Sequence, residues 1–184
     1  MTKEPATPSP VAAGRPRRPP WLGLALWLLV YAASLTIYNY QYHRTQDVLI
    51  RRLQVNPSLA MLKWMLPGER LDATATSIRS ATLEVQILRG CDGVEAWLLV
   101  VTALLVFPLP WSRRLQGILL GTALVWTLNI ARIVSLFQIA LRHPDWLDLA
   151  HGLIWQTIVV LAAAAFVLVW TAPRAQAGPG RAHG

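Results

Sequence analysis

The sequence is poor in cysteine, with one residue, Cys91, in 184. A single thiol closes no internal disulfide and runs no dithiol redox chemistry within the chain. Charge is scarce as well, at 14% of residues against 54% hydrophobic with nine Trp, which is too apolar for a soluble domain of this size. Acidic residues are the rarer sign, nine against 17 Lys and Arg, for a net charge of +8 at pH 7. The basic residues gather at the ends of apolar runs, where they act as topology determinants, so no nucleic-acid partner is expected. No repeat of the solenoid kind or duplicated transporter half stands out. His43, His143 and His183 are scattered in loops or tail. One Cys with one well-placed His falls short of the three or four ligands zinc prefers, so neither a metal nor another cofactor is expected.

What is present reads as an all-α polytopic membrane protein with about four transmembrane helices. Residues 1–20, rich in Pro and Arg, read as a disordered basic cytoplasmic leader, and residues 173–184 as a disordered cytoplasmic tail. Residues 21–172 read as the integral-membrane domain. Its first helix covers 21–38, followed by an interfacial aromatic belt, Asn39-Tyr40-Gln41-Tyr42. The run continues past the small residues Ala32-Ala33-Ser34, which favours an uncleaved anchor over a signal peptide. Residues 43–90 form an extracytoplasmic segment. In it Asn56-Pro57 starts a short amphipathic helix with an apolar stripe of Leu59, Met61, Leu62, Met65 and Leu66, closed by Pro67-Gly68. Residues 71–78 and 82–88 have β-type composition and form a possible β-hairpin turning at Arg79-Ser80-Ala81. The second helix is 94–107, stopped by Pro108-Leu109-Pro110; Trp111-Ser112-Arg113-Arg114 is a tight basic turn. The third is 115–141, with Gly117 and Gly121 spaced for close packing, and the fourth is 147–171.

Lys and Arg in both terminal segments and at Arg113 and Arg114 favour cytoplasmic termini. Cys91 then sits at the outer entrance of the second helix, in the turn Arg89-Gly90-Cys91-Asp92-Gly93-Val94-Glu95. Arg132 lies about 25 Å along the third helix at about 1.5 Å per residue, towards the outer side of an apolar core about 30 Å thick. His151 is near the outer start of the fourth. Each residue has a plain alternative: a small hydrophobe in a turn, an arginine that snorkels, a histidine as an interfacial polar tip. Together they fit acyl chemistry, in which a thiolate attacks, a cation steadies the charge and an imidazole shuttles the proton.

The elements Cys91-Asp92-Gly93, Asn129-Ile130-Ala131-Arg132 and Ala150-His151 resemble the exosortase/archaeosortase family of membrane cysteine transpeptidases, over a stretch of about 83–155. The short length is similar to the compact branch called exosortase H. Asp92 departs from the serine often found after the cysteine, and a minimal set of four helices departs from larger members. The resemblance implies that Cys91 is the nucleophile, Arg132 the charge stabiliser and His151 the proton shuttle. Arg89, Asp92, Gly93, Glu95, Asn129 and Asp148 are candidates for substrate contact or support. Asp92 would raise the thiol pKa unless Arg89 or Arg132 offsets it. The implied partners are exported proteins with a C-terminal motif, membrane helix and basic cluster, an envelope acceptor and the lipid bilayer. The implied location is the bacterial cytoplasmic membrane, with the site on its outer face. The alternative function is a non-catalytic membrane scaffold or assembly subunit.

Overall fold

The computed structural model describes residues 20–172. The expected leader, apart from Pro20, and the expected tail lie outside the described residues.

Helix α1 (Pro20–Gln46) runs without a break into a π-helical segment, Asp47–Val55, and then into α2 (Asn56–Met65). This corrects the expected polar connection from His43 and the expected helix start at Asn56. Pro57 explains how the helix continues. In an α-helix the Leu53 carbonyl would bond the N–H of residue 57, but proline has none and its ring crowds that carbonyl. The chain widens by one residue per turn instead, and the Asn56 N–H donates to the Arg51 carbonyl five residues back. The displaced Leu53 carbonyl accepts the indole N–H of Trp126. Ile50, Gln54, Ser58 and Leu62 form a buried stripe at four-residue spacing along this segment.

Three short strands follow: β1 (Asp72–Ala73), β2 (Ser77–Arg79) and β3 (Glu84–Gln86), antiparallel in that order. Residues 71–78 are therefore not one strand. Thr74 breaks them, because its hydroxyl accepts the Ser77 N–H at 3.0 Å and its own N–H donates to the Ser77 carbonyl at 2.9 Å. The next turn lies at 80–83, where the Ser80 N–H donates to the Leu83 carbonyl at 2.7 Å, slightly later than the expected Arg79-Ser80-Ala81. Ile78 with Val85 and Arg79 with Glu84 are paired across β2 and β3, the second pair as an ion pair at 2.9 Å.

Helix α3 (Val94–Val106) ends before Pro108 and Pro110, and α4 (Trp111–Arg142) begins directly after Pro110. The expected basic turn is thus the first turn of α4. Its arginines are not free: Arg114 Nε donates to the Leu104 carbonyl at 3.1 Å, at the end of α3. Arg113 donates to the Ala172 carbonyl at 3.1 Å and to that of Trp170. Both place cations on carbonyl-terminated helix ends. After Pro144 the chain forms a short α5 (Leu147–Leu149), a π-helical turn (Ala150–Ile154) and α6 (Trp155–Thr171).

Two cores result. In one, Ile50, Val55, Leu62, Leu71, Ile78 and Ile87 of the cap formed by 47–87 pack on Ile133, Val134 and Phe137 of α4. In the other, Val100, Ala103 and Leu104 of α3 meet Val125 of α4 and Ala163 and Val167 of α6. Helix α3 is therefore central, flanked by α1, α4 and α6. At Gly121 a Cβ would lie 2.6 Å from Val100 Cγ1 and 2.9 Å from Phe166 Cε1, so three helices meet where only glycine fits.

The outer surface is apolar. Leu24, Leu26, Leu28 and Leu29 of α1, Leu119 and Leu120 of α4, and Leu161, Leu168 and Val169 of α6 are all exposed. Among the described residues, Trp21–Met65, Trp111–Arg142 and Pro144–Thr171 are helical stretches long and apolar enough to cross a membrane; Val94–Val106 is a shorter apolar helix. Exposed apolar faces on helices of this length are the mark of a helical membrane protein.

Candidate functional site

Cys91 is held in a turn immediately before α3. Gly90 and Gly93, on either side, have φ of 81° and 75°, a left-handed backbone that other residues adopt only with strain. The Cys91 N–H donates to the Leu88 carbonyl at 3.0 Å. Gly93 is constrained twice, since a Cβ there would lie 3.0 Å from Asn129 Cγ.

Asp92 points inward from this turn and is buried. One carboxylate oxygen accepts the Val94 N–H at 3.1 Å, in the first turn of α3, and the other accepts the Tyr38 hydroxyl. A carboxylate at a helix N-terminus suits the helix dipole. Two amides grip the backbone of the same turn. Asn129 Nδ2 donates to the Cys91 carbonyl at 3.1 Å and to Gln54 Oε1 at 3.2 Å, while Gln54 Nε2 donates to the Asp92 carbonyl at 3.2 Å. The thiol is thus fixed by α1, the π-helical segment and α4 together.

Arg132 follows Asn129 by three residues on α4, so both point to the same side of the helix. It is 3% exposed, and its Nη2 lies 3.7 Å from Cys91 Sγ. His151 approaches from the π-helical turn, where the Trp155 N–H donates to the Ala150 carbonyl five residues back and Ala150 is buried. Its Nε2 lies 2.9 Å from Cys91 Sγ, and the two atoms share a hydrogen bond. Such π-turns are frequent where a helix re-aims a functional side chain.

The other candidates separate by role. Asp92, Gly93 and Asn129 shape the turn. Arg89 turns away and lies over the Tyr42 ring, 5.0 Å from its centroid. Asp148 is exposed, three residues before His151, and makes no hydrogen bond to the imidazole among the described contacts. Glu95 is half-buried in the first turn of α3. Tyr38, Tyr42 and Gln54 were not among the expected site residues. Tyr42, expected in the interfacial belt, is buried beneath Arg89. The signal for Gln54 is the four-residue spacing from Ile50 to Leu62, visible only if the helix is read straight through Pro57.

Burial pushes the Cys91 thiol up; Arg132 pulls it down, while Asp92 and Glu95 push it further up. Burial thus favours the protonated thiol at rest, with the proton to be moved when the sulfur reacts. The arrangement can take a proton from sulfur onto Nε2, and it can stabilise negative charge on or beside sulfur through the guanidinium. A small cleft, with a cavity volume of about 70 Å³, opens beside this centre, bounded by Tyr31 of α1, Glu95 and Leu99 of α3, Arg132, and Gln156 and Val160 of α6. Comparison with family models, with curated proteins and with solved structures finds no match for this chain.

Proposed function

We propose that this protein is a membrane-embedded cysteine protease and transpeptidase of the exosortase kind. It cleaves the C-terminal sorting signal of exported proteins and transfers them to an envelope acceptor. The observation that carries the reading is the meeting of three residues from separate segments at one sulfur: His151 Nε2 at 2.9 Å and Arg132 at 3.7 Å from Cys91 Sγ.

In this mechanism His151 takes the thiol proton as Cys91 attacks the scissile carbonyl carbon, and a C–S bond forms. Arg132 steadies the thiolate and the negative charge gathering on the carbonyl oxygen. The C–N bond then breaks, and His151 returns the proton to the departing amine, leaving a thioester on Cys91. The acceptor nucleophile attacks the thioester and restores the thiol.

The membrane arrangement belongs to the same proposal. Four helices cross or enter the membrane of a bacterial cell, with both termini cytoplasmic. With α4 starting at Trp111, Arg132 lies about 30 Å along its axis, at the far edge of an apolar core about 30 Å thick. The short α3 enters from the same outer side and is sheltered by its neighbours. The site then faces the extracytoplasmic surface, where exported proteins pass.

The test is co-expression with an exported protein ending in a short motif, an apolar helix and a cluster of arginines. Wild type shortens that substrate, and Cys91→Ala leaves it full length. Maturation at the wild-type rate by Cys91→Ala removes the protease reading and leaves the scaffold reading in its place.

A further inference from the structure

We infer that the cleft beside Cys91 is a subsite for one uncharged peptide unit of the chain being cleaved, with Glu95 as the residue that sets its specificity. This rests on the proposed cleavage reaction. Gly90 and Gly93, which flank the thiol in sequence, line the cleft, and at Gly90 the space a Cβ would fill has only Glu95 Oε1 beside it, at 3.9 Å, so a main chain can approach the cysteine turn there without meeting a side chain from position 90. Glu95 and Arg132 form its two charged walls, and Ala96, Leu99 and Val160 its apolar floor.

Two observations point to a ligand. Arg132 is 3% exposed, its Nε has no hydrogen-bond partner, and its one side-chain hydrogen bond among the described residues is to the Cys91 sulfur. A buried guanidinium carries five donors and is stable when acceptors meet them. Glu95 likewise makes no ion pair among the described residues. A cation entering the cleft would meet Arg132, and an anion would meet Glu95. The group that satisfies both walls is neutral, with one acceptor and one donor, as in the C=O and N–H of a peptide unit. Its neighbouring apolar side chain lies on the floor.

The experiment uses the full-length protein in membranes and reads alkylation of Cys91 by intact mass. The probes are iodoacetamide and the chloromethyl ketones of N-acetyl leucine, lysine and aspartate, each presenting one peptide unit. Rates are expressed relative to iodoacetamide in the same variant. The leucyl probe should exceed the lysyl and aspartyl probes by about tenfold, because all three offer the same peptide unit and only the charged side chains meet a wall of their own sign. Glu95→Gln should cut the leucyl rate by about fivefold, as one charge-assisted contact weakens. Val160→Trp, at an exposed position, should remove the leucyl preference by filling the floor. Equal relative rates for all three ketones, unchanged in both variants, would overturn the subsite. If Val160→Trp also loses iodoacetamide labelling, Glu95→Gln decides alone: a reduced leucyl rate supports the subsite, and an unchanged one overturns it. Labelling is independent of substrate maturation, so a subsite that fails while Cys91→Ala still blocks maturation leaves the cleavage reading intact.

Discussion

Gly93→Ala tests the most specific local feature of the site. Two penalties add. The backbone at Gly93 has φ of 75°, where an L-residue loses about 1–2 kcal/mol. The added methyl also sits 3.0, 3.2 and 3.3 Å from Cγ, Cβ and Oδ1 of Asn129. Asn129 cannot swing away freely, because it is buried and its amide holds the Cys91 carbonyl and Gln54. Overpacking of this kind costs about 1–3 kcal/mol, so the sum is about 2–5 kcal/mol. The shift should be felt at the thiol, two residues away, before it is felt in the rest of the fold. The assay pairs thermal unfolding in detergent, followed by circular dichroism, with the rate of Cys91 alkylation. Gly93→Ala should unfold at lower temperature and change the alkylation rate. Gly152→Ala is the control, since nothing lies within 4 Å of its added carbon and its φ is not positive; it should be neutral or gain up to about 1 kcal/mol from helix propensity. The double variant Gly93→Ala with Asn129→Ala removes the clash but not the backbone strain. Gly93→Ala as stable as the Gly152→Ala control, with unaltered thiol reactivity, would refute the account of this turn.

Tyr38→Phe should lower the unfolding temperature, because it strips a hydroxyl from the buried Asp92 carboxylate at a cost of about 1–3 kcal/mol. An unchanged melting curve would show that this contact is dispensable. Arg132→Lys should reach the membrane in normal amounts yet process substrate poorly, since an ammonium cannot replace a planar fork; near-normal processing would mark Arg132 as a snorkelling residue. The pH dependence of Cys91 alkylation should have its midpoint above the usual thiol value of about 8.5, because burial disfavours the thiolate. Arg132→Gln should move that midpoint further up by removing the cation that lowers it, and Glu95→Gln should move it down; shifts of the opposite sign would contradict the electrostatics of the site.

The helical, membrane-embedded character was legible because it is written in composition and long apolar runs, which no tertiary contact is needed to interpret. The meeting of Cys91, Arg132 and His151 was foreseeable from depth, since each residue's distance along its helix can be counted. What could not be read was direction across the bundle. Tyr38 reads as the end of the first helix and Tyr42 as part of the aromatic belt, and only packing shows that one bonds Asp92 and the other lies under Arg89. Pro57 misled for a local reason: proline after Asn is a strong helix-start signal, and the carbonyl freed by the π-helical widening is met by the indole of Trp126, far away in sequence. Thr74 split the expected strand through a side-chain hydrogen bond of the kind that β composition does not reveal.

The central claim is that Cys91 forms a covalent acyl intermediate with His151 as its proton partner. It is tested most directly by intact-mass analysis of the His151→Ala variant co-expressed with a sorting-signal substrate. Loss of the proton shuttle should slow both steps and leave a small fraction of the protein carrying the substrate's acyl portion. Hydroxylamine should release that mass, and Cys91→Ala should never carry it. An adduct that persists in Cys91→Ala, or a His151→Ala variant that matures substrate at the wild-type rate, would contradict it.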